Sequence, residues 1–122
     1  MPELKPETKL MSAIYGRLFH DEDLHESVDG VTLTDTLFAL LEDIREKHQR
    51  QKRSCSRIKQ VVTLRFGFND GPSRSYAQTA KEFGLSRERI AQQLRYVLRA
   101  CRHPTRLQRL QPFIRGERKW RD

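Results

Sequence analysis

At 122 residues, with hydrophobic side chains at 36% against 33% charged, the chain is long enough for one small domain and too apolar for a disordered polymer. Its net charge of +8 is uneven: residues 1–50 carry 6 Lys/Arg and 11 Asp/Glu, and residues 51–122 carry 18 and 5, so the first part is −5 and the rest +13. That basic block makes nucleic acid the leading partner, while the charged, proline-bearing start and the lack of any apolar run near ~20 residues argue against a signal peptide or membrane span, so a cytoplasmic protein is expected.

Cys55 and Cys101 stand alone without a CxxC pair, so two free thiols are expected rather than a disulfide or zinc site. The four histidines show no metal-ligand or nucleophile spacing, and there is no glycine-rich phosphate loop. The chain therefore does not read as an enzyme, and no cofactor is expected.

In chain order, Met11, Ile14, Tyr15, Leu18 and Phe19 have the spacing of a short amphipathic helix. The run DEDLHESVDG after them reads as a solvated acidic linker, because it lacks the Asp/Asn ladder of a calcium loop. The next segment, TDTLFALLEDIREKH, puts Leu37, Leu40, Leu41 and Ile44 on one face and offers Thr34 as N-cap. It is an amphipathic helix in need of a partner, and a dimer seam is one use for it.

After a basic connection, SRIKQVVTLRFG reads as a helix with Ile58, Val61, Val62 and Leu64 to Phe66 largely buried, stopped by Gly67. FNDGPSRS is a loop. Two helices follow: Tyr76 to Phe83, ended by Gly84, and a longer one from the N-cap Ser86 to about Arg102, before His103-Pro104. A short helix from Thr105 to Leu110 and the tail RGERKWRD complete the chain. The expected divisions are 1–33, an N-terminal segment and acidic linker, partly mobile; 34–53, an amphipathic helix and basic connection; 54–114, a helix-turn-helix domain; and 115–122, a basic tail.

The pair of helices joined through Phe83-Gly84-Leu85-Ser86, with small Ala80 where their axes approach, has the layout of a helix-turn-helix. Ile90, Leu94, Val97, Leu98 and Cys101 form one apolar stripe along the longer helix. The other face presents Arg87, Glu88, Ala91, Gln92, Arg95 and Arg99. Arg, Glu and Gln are side-chain types that hydrogen-bond base edges in the major groove, although the same stretch also reads as an ordinary charged helix surface.

The run LRFGFNDGPSRSYAQTAKEFGLSRERIAQQLRYVLRACRHPTRLQRLQPFI resembles region 4 of bacterial primary-type RNA polymerase sigma factors. The likeness rests on LRFG, a DG loop with Arg-Ser, SRERI followed by Gln, LR before a basic pair, and RHPTR. It implies an all-α fold, a small helical domain with a region 4-like helix-turn-helix preceded by an amphipathic helix and a flexible N-terminal segment. It also implies a bacterial or phage-encoded, nucleoid-associated protein that binds double-stranded DNA at a −35-like promoter element and docks on the β flap of the RNA polymerase core.

By the resemblance, Arg87, Glu88, Arg89 and Gln92 read bases, Arg65 lies near the DNA backbone, and Phe66, Leu98, Leu110 and Phe113 dock on polymerase; Arg95 and Arg99, further along the helix, and Arg74 are expected to hold the backbone as well. Phe66, Leu98 and Leu110 also fit core positions by their spacing, which leaves Phe113 as the cleaner docking probe. The chain departs from the family at Ala91 and Tyr96, where members often carry basic residues, and at Ala77-Gln78, which replace a common Glu-Glu pair. Nothing in residues 1–50 resembles the aromatic helix that melts the −10 element, so either a second polypeptide supplies melting to a chain that keeps only the linker and region 4, or residues 1–50 form a separate module that binds a second regulatory polypeptide. Two other readings stay open: a repressor or activator working without polymerase, and a sigma mimic that occupies the flap.

Overall fold

A computed structural model describes residues 4–50, 58–68 and 72–115. Pro6, whose ring fixes φ and whose missing N–H costs nothing in a first turn, starts α1 (Pro6–Tyr15). Gly16, at φ 69°, ends it. Because the helix stops there, Leu18 does not continue the apolar face and is 66% exposed, whereas Leu10, Met11, Ile14 and Phe19 are fully buried.

The acidic run is a folded segment rather than the expected linker. Asp21–Asp23 makes a single 3-10 turn. Ser27–Val28 (β1) and Val31–Thr32 (β2) then pair antiparallel across Asp29-Gly30. Both turn residues have positive φ, 54° and 83°, as a two-residue type I′ hairpin requires. Asp21 also closes the start of α1: its Oδ1 accepts from the Lys5 N–H at 3.0 Å and from Thr8 Oγ1 at 2.7 Å. Burial works against the charged carboxylate, but these bonds hold its pKa below the usual range.

The hairpin leads directly into α2 (Leu33–Arg50). The N-cap is Thr32 rather than Thr34, since Thr32 Oγ1 accepts from the Asp35 N–H at 3.0 Å. Thr34 instead donates its hydroxyl to Glu7 of α1. The remaining helices are α3 (Ile58–Phe66), α4 (Tyr76–Phe83), α5 (Arg87–Cys101) and α6 (Pro104–Leu110), followed by a 3-10 turn at Gln111–Phe113. The architecture is all-helical apart from the small hairpin. None of the helices in the described residues is long and apolar enough to cross a membrane.

Leu37, Leu40, Leu41 and Ile44 of α2 are buried against the chain's own helices, so this face is not available as a dimer seam. They join Leu10, Met11 and Ile14 of α1, Ile58, Val61, Val62 and Phe66 of α3, and Ile90, Leu94, Val97 and Cys101 of α5 in one cluster. Each large side chain so buried contributes about 1.5–3 kcal/mol. The expected division between an N-terminal part and a helix-turn-helix domain therefore does not divide the core. Leu64, expected to be buried, is only partly covered. Cys101 is a buried free thiol, and Cys55 and most of the basic tail lie outside the described residues.

Polar bonds also fasten α1 to the far end of the chain. Arg102 donates from Nε to the Ile14 carbonyl at 2.7 Å and from Nη2 to the Ala13 carbonyl at 3.1 Å. Those carbonyls end α1 and have no partner within it. At the opposite edge Leu24 bridges Ile114 as an antiparallel pair. The His25 N–H donates to the Phe113 carbonyl at 2.7 Å, and the Arg115 N–H to the Asp23 carbonyl at 2.8 Å.

Candidate nucleic-acid interface

Helices α4 and α5 form the expected helix-turn-helix. Ser75 caps α4 in a reciprocal box: its Oγ accepts from the Gln78 N–H at 3.1 Å, and Gln78 Oε1 accepts from the Ser75 N–H at 2.9 Å. Gly84 ends α4 at φ 66°, a conformation an L side chain resists. Ala80 is buried where the helices meet. Ser86 then caps α5, accepting from the Arg89 N–H at 3.1 Å.

This turn fixes which side of α5 faces outward. Ile90, Leu94, Val97 and Cys101 are buried, while Leu98, at the margin of the stripe, is only partly covered. Arg87, Glu88, Arg89, Gln92, Arg95 and Arg99 are all exposed. The residues expected to read bases therefore share the exposed first turns of one helix, and Arg89 Nη1 lies 3.5 Å from Gln92 Oε1. Gln93 was not expected in the core, yet it is buried, with an Oε1 that accepts no hydrogen bond among the described residues.

Arg65 and Arg74 come together beside the start of α4. The Arg74 N–H donates to the Arg65 carbonyl at 3.1 Å, and Arg65 Nη1 donates to the Arg74 carbonyl at 3.0 Å. The Arg65 guanidinium also lies 4.8 Å from the centre of the Tyr76 ring, a cation–π distance. Both arginines are partly buried. They brace the loop before α4 while keeping positive charge beside it, and this bracing role was not foreseen from the sequence.

The residues expected to dock on polymerase have a different setting. Leu110 is 0%, Phe113 4% and Phe66 9% exposed, and Leu98 alone is partly open. Phe113 is thus more deeply buried than Phe66, contrary to the expectation that it offers the cleaner probe. The physical reason is the covering segment: residues 23–25 pair with 113–115. That pairing spans about ninety positions of sequence.

Comparison with known proteins falls on the same stretch. Residues 56–103 match the family model described as sigma-70, region 4. Over 58 residues the chain is 45% identical to "RNA polymerase sigma factor SigA" of a Bacillus species and 41% identical to the protein of that name from Clostridium acetobutylicum. These alignments take in 48% of this chain and 15% of each relative, so the chain spans only a small part of the length of the curated relatives it matches. No solved structure matches it. The helix-turn-helix therefore lies within the stretch that is similar to sigma-70 region 4.

Proposed function

We propose that this chain is a sequence-specific, duplex-DNA-binding transcription factor that acts by binding rather than catalysis. Helix α5 enters the major groove at a −35-like element. There Arg87, Glu88 and Gln92 read base edges, with Arg89 at the flank, while Arg95, Arg99, Arg65 and Arg74 hold phosphates. The observation that carries this reading is the outward face of α5, which is polar and exposed in its first turns over a fully buried opposite stripe. RNA polymerase core is the proposed protein partner in initiation, in a bacterial cytoplasm.

The burial of Leu110 and Phe113 favours a second reading, a regulator that uses the same helix-turn-helix without gripping the polymerase flap through those side chains. Helices α1 and α2 weigh the same way, because their buried apolar residues are spent on the chain's own core. A pull-down of core polymerase with the full chain, paired with footprinting on a selected DNA site with and without polymerase, separates the two. Retention of polymerase and polymerase-dependent protection support the first reading. Protection that is complete without polymerase, and no retention, support the second. No protection under either condition contradicts both.

A further inference from the structure

Between the start of α4 and the first turns of α5 lies a groove of about 310 Å³ lined by Ser75, Tyr76, Ala77, Arg87, Glu88 and Ala91. Its rim is charged, but its walls are two alanine methyls and an aromatic ring. Tyr76 is 42% exposed, one of the few large hydrophobic residues open to solvent among the described residues. It is held in place by the Arg65 guanidinium stacked 4.8 Å from its centre.

On α5, Ala91 stands four residues after Arg87 and three after Glu88, so all three belong to one face. The row Arg87, Ala91, Arg95 runs straight along the helix. Between two guanidinium groups suited to guanine or phosphate it therefore places a single methyl with no hydrogen-bonding capacity. In the major groove the matching apolar feature is the thymine 5-methyl group, and alanine is among the side chains that read it.

We propose that Ala91, with Tyr76 and Ala77 as the facing wall, is a thymine-methyl reader, seating the 5-methyl of one thymine beside the bases contacted by Arg87 and Glu88. The assignment rests on the DNA-binding function proposed above and names one determinant of its specificity. Arg87 and Glu88 at the rim orient the duplex by hydrogen bonds. The notch between them adds discrimination that no donor or acceptor supplies.

The test uses the full chain and a duplex obtained by selection from random sequence. Each thymine of the selected site is replaced in turn by deoxyuridine, which removes only the methyl group, and affinity is read by fluorescence anisotropy. One replacement should weaken wild-type binding about fourfold, the worth of burying one methyl, and the others should have little effect. In Ala91→Gly, with folding verified by circular dichroism, that sensitivity should vanish while preference for the site over a scrambled duplex remains. Should the glycine variant not fold, Ala91→Ser carries the comparison and should lose the same sensitivity.

If no thymine is sensitive while the selected site is still preferred, the methyl reader is wrong and DNA recognition stands. If sensitivity persists in the Ala91 variant, the methyl is read elsewhere and the assignment is likewise overturned. Failure to select any preferred site removes the DNA-reading function itself, and this assignment with it.

Discussion

Two ionisable side chains, Tyr15 and Cys101, are withdrawn from water. The Tyr15 hydroxyl lies 3.4 Å from the Leu107 carbonyl, and burial pushes its pKa up from 10.0 to about 12. Burial likewise pushes the Cys101 thiol from 9.0 to about 12, against the pull of Arg106 and Arg102. Both groups are neutral when protonated, and the folded chain holds those protons more tightly than the unfolded one. Their contribution to stability is therefore complete below about pH 9 and is lost as pH rises toward about 12. Tyr15→Phe should lose less stability than wild type between about pH 8 and about pH 11 in urea titrations, and an identical loss would contradict the burial of that hydroxyl. Phe113 is buried as well. Truncation to alanine should destabilise the fold by about 3–5 kcal/mol, the cost of an emptied aromatic site, measured by chemical denaturation. A loss under about 1 kcal/mol would mean that the ring is a surface group after all.

Among the elements, α1 is tied to the end of α5 by directed bonds as well as by the shared core. Arg102 spans the last carbonyls of α1 with two nitrogens, a geometry that a planar guanidinium satisfies and an ammonium does not. Arg102→Ala should cost about 1 kcal/mol, and Arg102→Lys should recover little of it. Full recovery by lysine would reduce the interaction to simple charge. The helix-turn-helix was legible in the sequence because every signal for it is local: the Ser86 cap, the Gly84 stop and the three- and four-residue spacing of Ile90, Leu94, Val97 and Cys101. The hairpin at Asp29-Gly30 also carried a local signal, a DG pair flanked by valines, but the surrounding acidic composition obscured it. The partner of α1 had no local signal at all, since the patch around Met11 and Ile14 predicts a buried face without saying what buries it. The covering of Phe113 by residues 23–25 was hidden for the same reason.

Across the whole molecule, an acidic N-terminal half and a basic C-terminal half share one core. The carboxylates of the N-terminal half lie mainly in the turn, the hairpin and α2, and Arg87, Arg89, Arg95 and Arg99 are exposed on α5. DNA affinity should accordingly fall steeply with salt, each phosphate contact adding about −0.9 to the slope of log K against log salt. Binding that hardly changes between low and physiological salt would contradict the electrostatic part of the account. Charge alone gives attraction without choice, so under the proposed function the choice falls to the first turns of α5. The direct measurement is a competition between a selected site and a scrambled duplex for wild type, Arg87→Ala, Gln92→Ala and Arg99→Ala, with circular dichroism confirming each fold. Arg87→Ala and Gln92→Ala should each lose about 1–3 kcal/mol on the selected site and much less on the scrambled one, whereas Arg99→Ala should weaken both alike. An unchanged ratio in Arg87→Ala and Gln92→Ala, with a changed ratio in Arg99→Ala, would contradict the assignment of the recognition face.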